Sequence, residues 1–182
     1  ARAIRSEDSL QVVVACEDGA RAEVIRSLAP TILDADGNGL ADGWRINPET
    51  TSEDTPGNIA RVSIEPGGSE FNCQRIDCPR FRSGWIILHR DGADEVIRDA
   101  GYRITFRARQ RGLKGTVGVA VYNIRPWECC GIEKQLRIGP DWQTYTAEFR
   151  ATRDSGLARF EFFFTETGTL WLEGIRLEPL MR

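Results

Sequence analysis

Apolar and polar residues alternate with a period of two through most of the second half of this chain. Tyr102, Ile104, Phe106 and Ala108 alternate with Arg103, Thr105, Arg107 and Arg109. Val117, Val119 and Val121 alternate with Gly118, Ala120 and Tyr122, and Tyr145, Ala147 and Phe149 with Thr144, Thr146 and Glu148. Ala158, Phe160, Phe162 and Phe164 alternate with Arg159, Glu161 and Phe163. Leu170 and Leu172 are followed by Ile175 and Leu177, with a bulge predicted at Glu173-Gly174. Successive side chains of a strand point to opposite faces, so this pattern predicts antiparallel strands with one buried face. Repeated at this spacing between Gly-rich turns, it predicts an all-β fold, an antiparallel β-sandwich, with almost no helix.

The first half is less regular. Residues 10–28 read as a hairpin, or as a strand followed by a short helix, closed by Pro30. Residues 47–58 are polar and rich in Pro and Thr and read as an exposed loop. Ala60–Ile64 alternates as a strand and is stopped by Pro66-Gly67-Gly68. Residues 69–83 read as a cysteine-bearing loop, Gly84–Arg90 as a strand, and Asp91-Gly92 as a turn. The organisation expected is an N-terminal extension or hairpin over 1–29 packed on a sandwich domain over 30–182.

One stretch carries specific chemistry before any fold is considered. Asp34, Asp36, Asn38 and Asp42 occupy positions 1, 3, 5 and 9 of a short loop, and Leu40 at position 7 offers its carbonyl. Six to eight hard oxygens at about 2.3–2.6 Å are what calcium takes. Gly37 and Gly39 permit the curl this requires. Arg45 stands where an EF-hand has its bidentate Glu, and no helices flank the loop, so the pattern is that of a shorter extracellular calcium loop. The expectation is a structural Ca²⁺ that pins the loop; the alternative is an Asx-rich turn that binds nothing.

Composition narrows the partners. A net charge of −3 over 182 residues implies neither nucleic acid nor an anionic membrane surface. No apolar run approaches the ~18–20 residues of a membrane span. The start carries no signal-peptide pattern, so the chain reads as a mature chain or a piece of a longer one. The five cysteines, Cys16, Cys73, Cys78, Cys129 and Cys130, do not have zinc spacing. With calcium suggesting a secreted, extracellular setting, disulfides are expected: the 73–78 segment tied to 129–130 with Cys16 free, or a direct Cys73–Cys78 bridge. Buried thiols are the remaining reading.

Four motifs in order carry a family resemblance. Asn38-Gly39-Leu40-Ala41-Asp42-Gly43-Trp44 resembles the entry motif of bacterial jelly-roll carbohydrate-binding modules. Ala100–Arg109, Asp141-Trp142-Gln143-Thr144-Tyr145 and Thr169–Leu177 are similar to three of their strands. The resemblance covers about residues 30–179 and lies with the family 4/9/22-like, galactose-binding-like superfamily. It implies a jelly roll and a non-catalytic module binding a polysaccharide or oligosaccharide, appended to other domains of a secreted bacterial polysaccharide-degrading enzyme. In that family a carboxylate at the position of Glu173 often joins a structural calcium site; here Gly174 replaces the Asp that follows it.

Sugar binding asks for aromatic rings against pyranose faces and polar groups that read hydroxyls. Trp44, Trp142 and Tyr145 fall within fold motifs and read as core. Trp127, behind Pro126 in Asn123–Cys130, reads as a stacking platform or as a cover for disulfides. The sheet face opposite the core would carry Tyr122, Arg103, Thr105, Arg107, Arg159, Glu161 and Phe163, edged by Trp85 and His89. The arginines suit a uronate, or form cross-strand ion pairs. The candidate ligand residues are therefore Trp127, Tyr122, Trp85, Arg107, Arg159, Glu161 and His89. Glu128, Glu133, Glu161 and Glu166 single out no carboxylate pair, so no catalytic residue is assigned. The alternative function is a calcium-stabilised structural or interaction domain of a surface protein.

Overall fold

A computed structural model describes residues 2–6, 9–13, 24–26, 33–47, 57–69 and 71–180. Near the N-terminus β1 (Arg2–Ser6), β2 (Ser9–Val13) and β3 (Val24–Arg26) form a three-stranded antiparallel sheet. The β2–β3 pairing is the hairpin reading of residues 10–28, while Cys16, residues 14–23 and residues 48–56 of the polar segment lie outside the described residues.

Ten further strands build two facing sheets. They are β4 (Trp44–Asn47), β5 (Ile59–Pro66), β6 (Asn72–Arg80), β7 (Ile86–Val96), β8 (Gly101–Arg111), β9 (Val117–Ile124), β10 (Trp127–Leu136), β11 (Gln143–Arg150), β12 (Ser155–Phe164) and β13 (Gly168–Pro179). One five-stranded sheet has the order β10-β9-β12-β7-β4 and the other β11-β8-β13-β6-β5, all pairs antiparallel. This is the predicted β-sandwich, and among the described residues there is no helix.

The core lies between the sheets and is filled by the apolar half of each alternation. Phe160, Phe162, Ile86 and Leu88 from one sheet meet Ile104, Phe106, Leu170 and Leu172 from the other, all essentially inaccessible to water. Phe106 and Phe162 meet edge to face with ring centroids 4.9 Å apart, a contact worth about 0.5–1.5 kcal/mol beyond its buried area. Trp44 and Tyr145 pack against this core, as expected of them.

Three segments differ from the sequence reading, each for a local reason. Residues 72–80 are a strand rather than a loop; its inward position Gln74 is polar, which breaks the apolar alternation. Residues 127–136 are a strand too, interrupted by a bulge between Cys129 and Ile132, where Gly131 has φ +121°. Cys130 and Ile132 both point inward, but the next inward position, Lys134 opposite Val119, is charged and exposed, which hides the period of two. Asp91-Gly92 is a second bulge, inside β7, and not a turn. The bulge in β13 falls where it was predicted, with Gly174 at φ +59°.

Candidate functional site

The outer face of the β10-β9-β12-β7-β4 sheet is built by the outward half of the alternation, and pairing register sets its rows. Cys129, Tyr122, Arg159 and Asp91 lie side by side across β10, β9, β12 and β7. The next row runs Glu133, Ala120, Glu161, His89 and Arg45, ending on β4. The row after it contains Gly118, Phe163 and Ile87. Six of the seven candidate ligand residues therefore meet on or beside one face.

The two-residue turn Arg125-Pro126, with a cis peptide between them, folds β10 back on β9 and sets Trp127 beside Tyr122. Trp127 is 53% exposed and stacks on Tyr122 at 5.2 Å with 20° between the planes. The Arg159 guanidinium lies 4.9 Å from the Trp127 ring. Two aromatic rings and a cation thus form one continuous platform. Farther along, Trp85, 52% exposed, meets Phe163 edge to face at 5.2 Å. Phe163 can lie flat over β9 because position 118 has no side chain; any Cβ there would enter its ring.

Polar groups occupy the floor between the aromatic ends. Arg159 donates to both oxygens of Asp91, Nε to Oδ1 at 2.5 Å and a terminal nitrogen to Oδ2 at 3.1 Å. His89 Nδ1 is 3.2 Å from the same Oδ1. Burial and the neighbouring Arg159 charge hold His89 below its usual range, against the opposing pull of Asp91. Burial works against ionisation of Asp91, yet the bonds from Arg159 and His89 keep it below the usual carboxylate range. The Tyr122 hydroxyl donates to Glu133 at 2.7 Å; burial and that bond both raise the phenol. Glu161 is 5% exposed and its Oε2 has no hydrogen-bond partner. Burial pushes its carboxyl up to about 7, with Arg159 opposing and the Glu133 and Asp91 carboxylates adding to the rise.

Arg107 is the seventh candidate, and it does not belong to this face. It lies on β8 of the other sheet, as do Arg103 and Thr105, so the sandwich separates all three from Tyr122 and Glu161. Its guanidinium pairs with Glu173, which is 1% exposed and also accepts the amide of Gly68. Around that pair Trp142 sits against Arg107 and Arg109, and Trp171 against Arg75, Arg109 and Arg111. Trp142, read as core, is thus part of a stack of indoles and guanidiniums on the outer surface of that sheet. Trp171 is buried in the same stack and donates to Glu65 at 3.1 Å. Cross-strand pairing, the alternative reading of the arginines, holds for Arg103 with Glu148, Arg107 with Glu173 and Arg159 with Asp91.

No family model matches the chain, and no curated protein does. Solved structures do. A family 4 carbohydrate-binding module superposes with a TM-score of 0.57 at 19% identity, over 75% of this chain and 86% of that one. The fold is that of a jelly-roll carbohydrate-binding module. An arabinose-bound α-L-arabinofuranosidase (TM-score 0.57, 13% identity) and the enzymatically active domain of a bacteriophage CBA120 tailspike protein (0.57, 9%) also match. These matches cover 76% and 84% of this chain but only 23% and 22% of those larger chains.

In this module fold the 34–42 loop forms a rim beside the polar floor. A cleft of about 480 Å³ is lined by Asp36, Asn38, Asp42 and Trp44 together with Arg45 and Asp91. Buried Gln74 anchors the loop by accepting the Ala41 amide at 2.8 Å and donating to the Gly39 carbonyl at 2.9 Å. Asp34 Oδ1 and Asp36 Oδ1 both accept the Asn38 amide, at 3.0 and 3.2 Å, so these oxygens converge on one N–H. Asp42 Oδ1 instead accepts the Ala35 amide, and the Asn38 side-chain oxygen the Leu40 amide. The loop is therefore closed by Asx turns, and a cation would take over oxygens that now serve amides. Among the described residues no three acid, His or Cys side chains gather as a cage.

The cysteine expectation needs correction. Cys73, Cys78, Cys129 and Cys130 are free thiols. Cys73 and Cys78 are five residues apart on β6 and so face opposite ways at about 3.3 Å per residue, too far for a bridge. Cys129 and Cys130 belong to the opposite sheet, Cys130 inside the core. Burial raises the Cys73 and Cys78 thiols to about 11, which makes them unreactive packing groups.

Asp91 and Glu133 are the site residues that sequence reasoning left out. Asp91 continues the outward alternation of His89 but sits in an Asp-Gly pair that reads as a turn, and Glu133 lies on a strand whose alternation is masked by the exposed Lys134.

Proposed function

We propose that this chain is a non-catalytic glycan-binding module, and that its site is the outer face of the β10-β9-β12-β7-β4 sheet. The observation that carries this is the Trp127–Tyr122 platform, half-exposed and continuous with a buried polar floor. An apolar ring surface beside convergent hydrogen-bonding groups is the usual composition of a small-molecule site. The module fold and the family 4 neighbour agree with this reading. A place beside other domains of a secreted polysaccharide-degrading enzyme follows the same likeness.

Affinity electrophoresis tests it, with neutral β-glucans, xylans, mannans, galactans and uronic-acid polymers in the gel. Retardation by one class is expected. Silence across the panel would favour a structural or interaction domain instead, and release of reducing sugar would make the chain an enzyme.

We also keep calcium as a structural ligand of Asp34, Asp36, Asn38, Leu40 and Asp42, on the strength of their spacing and the convergence of the first two carboxylates. A ligand that binds only the native state stabilises it in proportion to the logarithm of its concentration over Kd. Excess chelator is thus expected to lower the melting temperature, and added calcium to restore it. A melt unchanged by chelator would leave the loop as an Asx turn alone.

A further inference from the structure

Among the described residues, Glu161 Oε2 is the buried side-chain atom on this face without a hydrogen-bond partner. It lies at the centre of the floor, flanked by Ala120 of β9 and His89 of β7 across the sheet and by Arg159 and Phe163 along β12. A buried acceptor without a donor costs about 1–3 kcal/mol, more when charged, so such atoms are rare without a reason. Arg159, the cation best placed to relieve it, is committed to Asp91 through two hydrogen bonds.

The charges that face Glu161 decide which form it keeps. Arg159 lies on its own strand, Tyr122 on β9, Glu133 on β10, His89 and Asp91 on β7, and Arg45 at the β4 edge. Glu133 holds the Tyr122 hydroxyl, so that phenol is not free to serve Glu161. His89 is kept neutral near pH 7 and adds no cation. The centre of the face therefore has acidic groups on both sides and one arginine already paired. A carboxylate-bearing ligand laid over Glu161 would meet Glu133 and Asp91, with the Arg159 guanidinium already committed and Arg45 standing at the β4 edge.

We propose, resting on the glycan-binding reading, that Glu161 in its acid form reads hydroxyls of a neutral glycan, so that this face takes neutral polymers over uronates and holds them better below neutral pH than above. A carboxylic acid donates through its O–H and accepts through its C=O, and a sugar hydroxyl can return both bonds. A covering sugar also removes the last water from the site, which penalises the ionised form further. If only the acid form binds, affinity scales with the fraction protonated, and a carboxyl titrating at about 7 loses roughly tenfold between pH 6.5 and 8. Asp91 is shifted below that window and Tyr122 above it, and His89 is shifted downward, away from it.

The test is affinity electrophoresis of the whole chain at pH 6.5, 7.2 and 8.0, on the neutral polymer that retards it and on polygalacturonate. The wild type is expected to lose about tenfold in affinity over that range and to ignore polygalacturonate. Glu161→Gln, whose amide keeps one donor and one acceptor in the same shape, is expected to bind without pH dependence. Thermal melts provide a second readout. An acid whose folded pKa is raised destabilises the native state increasingly as pH climbs from about 4.5 to about 7, and not further above. The melting temperature of wild type relative to Glu161→Gln should fall over that interval and then level. Neutral-glycan binding that is flat or rising with pH overturns the role of Glu161 while leaving the module reading intact. Stronger binding to polygalacturonate overturns the neutral preference, and no binding by any protein at any pH overturns both.

Discussion

Trp127→Ala is expected to weaken glycan binding by roughly thirtyfold or more while leaving the thermal melt almost unchanged. Tryptophans at the centre of a contact are among the residues whose truncation costs about 2 kcal/mol or more, and each 1.4 kcal/mol is tenfold in affinity. Here the indole carries the platform: it is the exposed member of the Tyr122 stack, and Arg159 lies against it. Its removal costs the fold little, because half of its surface already faces water and surface changes usually stay within about 0.5 kcal/mol. Equilibrium binding to the retarding polymer, paired with a melting curve, separates the two effects. Unchanged affinity would move the stacking surface to the Trp85–Phe163 end, and a collapsed melt would make Trp127 a structural residue.

The second large effect is expected where no ligand binds. Arg107→Ala should lower stability by about 2–3 kcal/mol in chemical denaturation and leave glycan binding at the wild-type level. Truncating one partner of a fully buried pair costs about 3–5 kcal/mol, since the other charge is stranded. Arg107 is a third exposed, which admits water and reduces that figure, while Glu173 is 1% exposed and keeps only the Gly68 amide. The change also removes a guanidinium from beside Trp142. A loss of glycan binding in a folded Arg107→Ala protein would restore this residue to the site.

Much of the sandwich was legible because the core-forming strands keep an unbroken period of two. What alternation cannot say is which strands share a sheet. Arg107 and Arg159 have the same outward character in sequence, and only the pairing of β8 with β11 and β13 puts them on opposite sides of the molecule. The strands that went unread were those where apolar alternation fails: Gln74 spends an inward position on holding the rim loop, and an inward position of β10 is the charged Lys134. The platform was half legible. Trp127 drew notice through its neighbours Pro126 and Cys129, but its stacking on Tyr122 depends on a hairpin that alternation did not reveal. The cysteine pairing failed because vicinal and nearby thiols look alike in sequence whether they bridge or pack.

The pleat of β9 and β12 has a consequence for how such a molecule can change over generations. The residues that would touch a ligand at 120, 159 and 161 each stand between two residues that hold the core, such as Val119, Val121, Phe160 and Phe162, and Tyr122 stands beside Val121. Recognition and foldedness are thus written on alternate letters of the same words. Substitution at the outward letters can retune which sugar is accepted without opening a cavity beneath, and mutation at the inward ones is filtered by stability before specificity is ever tested. Gly118 is the exception, because the Phe163 ring already occupies the space that a side chain there would need.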